Sequence, residues 1–187
     1  MTRWEPGARG RLERAAMELY GEQGFEQTTV AEIAKRAGLT ERTFFRHFAD
    51  KREVLFDGAG ALQELLVDAV ANAPASVAPI DAVAAALEAA GVVFQRREDS
   101  RYRQSIIAST PDLQERELIK LAALGSAIAD ALRLRGVSNI AAGLAAEAGI
   151  AVFKTAFERW IGEDTQADFA QLVRESLAEL KAVTSGG

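Results

Sequence analysis

The chain has 187 residues, 49% of them hydrophobic, enough to bury a core without help from disulfides or metals. It contains no cysteine, which excludes disulfides, thiolate metal sites and cysteine nucleophiles and fits a reducing, cytoplasmic setting. The net charge of −5 is unevenly spread: residues 1–56 hold ten Lys and Arg against nine Asp and Glu, whereas residues 57–187 hold twelve against eighteen. Any contact with a polyanion therefore belongs at the N-terminal end. The N-terminus lacks the apolar run of a signal peptide, and stretches such as Ala82–Phe94 are too short to span a bilayer, so no membrane association is expected.

Apolar residues recur at three- and four-residue spacing throughout and never alternate, which predicts an all-α fold of about nine helices. The first, over Ala8–Gln23, places Leu12, Ala15, Ala16, Leu19 and Tyr20 on one face, with Gly24 at its end. Thr29 and Glu32 form a T-x-x-E capping box for a second helix, whose buried stripe is Val30, Ile33, Ala34 and Ala37. Gly38 ends it, and Thr40 caps a short third helix from Glu41 to about Phe48. Asp50 and Glu53 repeat the capping pattern for a long fourth helix carrying Leu55, Leu62, Leu66, Ala69 and Ala73 as far as Pro74.

Further helices are expected over Ile80–Arg97, Arg101–Ala108 and Asp112–Arg135, the last opened by Thr110-Pro111 and closed by Gly136. The final pair, Asn139–Ile161 and Thr165–Val183, is joined by Gly162-Glu163-Asp164 and should be antiparallel. Ser185–Gly187 reads as a frayed tail.

The most informative segment is residues 24–55. Two short helices joined at Gly38, the second rich in hydrogen-bond donors, fit a reader of the DNA major groove. Arg42, Thr43 and Arg46 fall near the exposed face of the third helix, where an arginine can engage guanine bidentately for about 1–3 kcal/mol of discrimination. Phe44 and Phe48, at i and i+4, should pack beneath the first two helices. His47, the one histidine, can build neither a catalytic pair nor a multi-histidine metal site, and its position suits a phosphate contact. Arg3, Arg9 and Arg11 are either a basic arm reaching the duplex or part of a disordered tail.

Over about Arg11–Phe56 the chain resembles the TetR family of transcriptional regulators. The threonine-rich start of the second helix, Ile33-Ala34, Ala37-Gly38-Leu39-Thr40, the aromatic third helix and Asp50-Lys51 carry the resemblance. It implies an N-terminal helix-turn-helix domain, here residues 1–50, followed by a helical effector-binding and dimerisation domain, residues 51–187. It further implies that the hydroxyl and N–H of Thr29 meet a phosphate in addition to capping, and that Lys51, helped by Arg52, clamps a second phosphate. Phe45 stands where many relatives carry tyrosine, so it can offer only apolar contact.

Beyond residue 56 the resemblance is one of length and helicity. Small residues beside Leu62, Leu66, Phe94, Tyr102, Phe153, Phe157 and Trp160 suit an aromatic-lined effector pocket, and suit a closed core equally well. The Arg96, Arg97, Arg101 and Arg103 cluster could receive an anionic group or simply end a helix in solvent. Helix eight is apolar on more than one face, and Val152 and Ala156 together with Phe169, Leu172, Val173, Leu177 and Leu180 are expected at a two-fold homodimer interface.

The expected function is a ligand-responsive DNA-binding regulator, most simply a repressor that binds a palindromic double-stranded operator as a dimer and is released by a small-molecule effector. An effector would shift the fourth helix, which carries Lys51 at its head. The alternative is a helical protein-interaction module without DNA binding. Phosphate-loop, dinucleotide and zinc-protease motifs are absent from the sequence, so no enzyme, catalytic group, metal or cofactor is expected.

Overall fold

The computed structural model describes residues 7–94, 96–162 and 167–185. Among these there are nine α-helices and no strand: α1 Ala8–Gln23, α2 Val30–Arg36, α3 Glu41–His47, α4 Ala59–Ala71, α5 Pro79–Ala89, α6 Arg97–Ala108, α7 Pro111–Leu134, α8 Asn139–Gly162 and α9 Phe169–Thr184. Two 3₁₀ turns, Glu53–Phe56 and Ala90–Val93, stand where the sequence predicted continuous helix.

The chain forms two compact units. The first comprises residues 1–57 together with 102–117, and the second residues 58–101 and 118–187. In the first, α1 packs on α2 and α3, and Leu12, Ala16, Ile33 and Phe44 lie at its centre. Ile106, Ile107 and Leu113 close the same core, although more than forty residues of sequence separate them from its other members. Polar contacts fasten this second segment: Tyr102 donates to Met17 O at 3.1 Å, Arg103 to Leu55 O at 3.1 Å, and Arg116 Nε to Glu53 at 2.8 Å. Burial pushes the Arg103 guanidinium below its ordinary range, while Glu117 and Glu13 pull the other way.

The long fourth helix is broken. Asp50 accepts from the N–H groups of Arg52 and Glu53, at 2.8 and 3.1 Å, but what it caps is the four-residue 3₁₀ turn. Gly58 then takes φ of 88°, and α4 begins only at Ala59. The sequence Asp57-Gly58 is itself a turn signal, and a helix cannot pass through a left-handed residue. Lys51 therefore lies upstream of the turn and not at the head of α4.

In the second unit α5 packs against α4, α8 and α9, and α8 against α9. Helix α5 stops at Ala89 rather than reaching Arg97. There Gly91 lets the α9 backbone approach, with Ala170 N 3.7 Å from where a Cβ would stand, and Val92-Val93 is a poor helical sequence. At Gly149 a Cβ would collide with Val83 Cγ1, so α5 and α8 are in close contact. Helix α8 is long and apolar enough to cross a membrane by length and composition alone, but half of its apolar window is buried in this core. The connection predicted over residues 162–164 lies mostly outside the described residues.

Candidate nucleic-acid interface

Each helix of the reader starts on a side-chain cap. Thr29 Oγ1 accepts from Glu32 N at 3.2 Å, and Glu32 Oε2 accepts from Thr29 N at 2.8 Å, which completes the predicted capping box. Thr40 Oγ1 accepts from Thr43 N at 3.2 Å and starts α3. Between them Gly38, at φ of 66°, lets Leu39 N reach back to Ala34 O at 2.8 Å and turns the chain tightly.

Helix α3 has two faces. Phe44 and Phe48 point into the core, and their ring centroids are 5.5 Å apart. Arg42, Phe45 and Arg46 point outward. Phe45 is 55% exposed, an unusual placement for a phenylalanine, and its ring meets Phe44 edge-on at 5.5 Å. Among the described residues neither Arg42 nor Arg46 forms an ion pair. Thr43 is half-buried with its hydroxyl 3.1 Å from that of Thr40. His47 is also half-buried, and its Nε2 is buried without a hydrogen-bond partner.

Two expected phosphate ligands are otherwise engaged. Thr29 is exposed, but its hydroxyl donates to Glu32 Oε2 at 2.8 Å, so Glu32 occupies both donors expected to meet a phosphate. Lys51 Nζ donates to the backbone oxygens of Phe25, Glu26 and Thr28, and Arg52 pairs with Asp50 at 2.8 Å. Arg9 is no free arm: it sits in α1, pairs with Asp57, and lies 5.0 Å from the Phe48 ring centroid. Arg11 also belongs to α1, and Arg3 lies outside the described residues.

Sequence reasoning missed Tyr20 and Arg103 as organisers of this unit. Tyr20, read as a core residue, turns its hydroxyl to Lys51 O at 2.6 Å, and burial followed by the charge of Asp50 pushes the phenol far above its ordinary range. No local pattern marks such long-range bonds.

In the second unit Phe94, Phe153, Phe157, Trp160 and Phe169 form one aromatic cluster, with centroids from Phe94 to the other four between 4.7 and 6.1 Å. Leu66 is buried on α4 in the same core, and Leu62 packs against it. Tyr102 does not join them, because it belongs to the first unit. The arginine cluster does not converge: Arg96 pairs with Asp99, while Arg97 and Arg101 donate to the carbonyls of Ala167 and Ile161.

The expected dimer face needs correction. Val152, Ala156, Phe169, Leu172 and Val173 are all at most 3% exposed, covered by their own chain, and Leu177 and Leu180 are half-buried. A side chain already buried within one subunit has no area left to bury against another. The outward side of α8 instead carries Ile140 and Leu144, 79% and 68% exposed, with Ala151 further along.

Comparison with known proteins agrees with this architecture. The profile of bacterial regulatory proteins of the tetR family matches residues 13–57, and that of the MftR C-terminal domain matches residues 77–185. The regulator TcmR of Streptomyces glaucescens is 42% identical over 81 residues, 43% of this chain but only 36% of TcmR. MftR of Mycobacterium tuberculosis, described as a mycofactocin biosynthesis transcriptional regulator, is 27% identical over 155 residues, 80% of this chain and 78% of MftR. Among solved structures, FadR of Thermus thermophilus, a TetR-family repressor in complex with lauroyl-CoA, superposes with a TM-score of 0.53 at 25% identity, covering 92% of each chain. SmeT bound to triclosan gives 0.66 at 20% identity, covering 95% of this chain and 91% of SmeT, and shares the fold. With the helix-turn-helix matched at one end and a regulator's C-terminal domain over more than half its length, the chain belongs to the TetR family of bacterial transcriptional regulators.

Proposed function

We propose that this regulator is a cytoplasmic repressor that binds a palindromic operator as a homodimer and is released by a small-molecule effector. One observation carries the DNA-binding half: α3 buries Phe44 and Phe48 while Arg42, Phe45 and Arg46 remain outward and the two arginines are not spent on ion pairs among the described residues. Arg42 and Arg46 read bases, Phe45 lies on a sugar or a thymine methyl, and Thr43 and His47 contact the backbone or adjacent bases. Thr29 reaches a phosphate when Glu32 releases it.

Effector binding belongs to the aromatic core of the second unit, around Leu62, Leu66, Phe94, Phe153, Phe157 and Trp160. The lauroyl-CoA of FadR and the triclosan of SmeT support an apolar ligand there. Entry of such a ligand requires the packed rings to separate, and its effect on DNA is bounded by its preference for the opened state. A second copy docks on the outward side of α8 around Ile140, Leu144 and Ala151. Two such readers would then meet half-sites about 34–36 Å apart or a multiple of that.

The test is substitution after selecting bound duplexes from random DNA. Changing Arg46→Ala should relax preference at one position by about 1–3 kcal/mol without abolishing binding. Failure of the wild-type chain to enrich any duplex, even in dilute salt, would instead support a protein-interaction module.

A further inference from the structure

Three carbonyl oxygens of one short connector converge on a single nitrogen. Lys51 Nζ donates to Phe25 O at 2.9 Å, Glu26 O at 3.2 Å and Thr28 O at 2.9 Å, and sits 4.5 Å from the Phe25 ring centroid. An ammonium group has three N–H donors and no acceptor, so the backbone of this turn takes all of them. The other end of Lys51 is fixed as well. The buried Tyr20 hydroxyl donates to Lys51 O at 2.6 Å, and the Tyr20 ring packs on Phe25 with centroids 5.1 Å apart. Within the connector, Thr28 Oγ1 donates to Gly24 O at 2.8 Å, and the next residue, Thr29, is the cap of α2.

We propose that Lys51 is a positioning residue for DNA recognition, acting as a three-donor strut that fixes the connector between α1 and α2, and not a phosphate contact. Through the connector it sets where α2 begins, and through α2 the angle at which α3 is presented. The consequence for DNA rests on the function proposed above; the strut does not.

The geometry separates the two roles. A phosphate contact needs a cation with a free donor, and a guanidinium serves it at least as well as an ammonium. Three carbonyls gathered about one point need a tetrahedral nitrogen, and a planar fork cannot meet all three. The charge-conserving variant K51R is therefore decisive beside K51M.

The experiment uses the full chain as wild type, K51R, K51M and Y20F. The probes are a duplex enriched by the wild-type protein from a randomised pool and an unselected duplex of equal length, each across a salt series. Amide hydrogen exchange is followed without DNA. K51R and K51M should each bind the enriched duplex at least tenfold more weakly, with less than threefold loss on the unselected one. K51M should keep the wild-type salt dependence. Amides of residues 25–33 should exchange at least tenfold faster in both, with Y20F between them and wild type.

The proposal is overturned if K51R matches wild type while K51M lowers the salt slope by about 0.9, the value of one lost phosphate contact. Unchanged exchange over residues 25–33 in both Lys51 variants overturns it equally. Should those variants not fold, Y20F keeps the charge and decides alone: lost selectivity supports the strut, and wild-type selectivity removes it. If the wild-type chain enriches no duplex, the role in recognition falls with the proposed function, and exchange still decides whether the strut exists.

Discussion

Glu32 accepts hydrogen bonds from the N–H and hydroxyl of Thr29, both at 2.8 Å, and from Gln23 at 3.2 Å. These bonds hold its carboxyl below the usual glutamate range, the Thr29 backbone contributing most. A carboxylate stabilised in this way supports the fold above its unfolded pKa, and that support disappears as pH falls through the lower folded value. An NMR titration should therefore find Glu32 ionising at lower pH than a free glutamate, and T29A should move it back toward the ordinary value. Loss of the cap in T29A should also cost about 1 kcal/mol in denaturant unfolding. This capping box was legible from spacing alone, as was the inward turn of Phe44 and Phe48, because both depend on contacts three or four residues apart. The engagement of Lys51 was not: its partners lie 23 to 26 residues earlier, and only the folded connector turns their oxygens together.

Element boundaries followed the same division. Those set by strong local signals, such as Gly24 after α1 and Gly136 after α7, agree with the sequence reading. Those at Gly58 and Gly91 were read through, since the apolar period continues across each glycine and hides the break. Gly58 has open space around it but a φ of 88°, so G58A should destabilise the chain through backbone strain alone, by about 1–2 kcal/mol in thermal or denaturant unfolding. Gly149 is the opposite case, with ordinary helical conformation but no room. G149A should cost about 1–3 kcal/mol by overpacking, and V83A should relieve part of that loss in the double variant, whereas V83A alone destabilises. Helix eight shows a limit of amphipathic reasoning: being apolar on several sides, it gave no means of telling which side its own chain covers. The dimer face was accordingly assigned to Val152 and Ala156, which are buried, and not to the exposed Ile140 and Leu144. If the outward side is the interface, L144E should yield monomers in sedimentation measurements while leaving helix content unchanged.

At the scale of the molecule, fold class and family were readable from the first third of the chain, but the composition of the DNA-binding unit was not. Leu113 is completely buried in the core formed by Leu12, Ile33 and Phe44, far from them in sequence. L113A should therefore cost about 2–5 kcal/mol and loosen amides of α1 and α2, although it stands well outside the helix-turn-helix. A ribosome reading this message emits the reader helices early, yet their last wall follows only after residues 58–101 have been made. The nascent N-terminal portion must wait with one apolar flank uncovered, and closure of that flank joins segments across an intervening stretch that is folding into something else. The order of synthesis thus opposes the order of completion, and a premature stop between α3 and α6 would release a fragment with the reader's motif but an unfinished core.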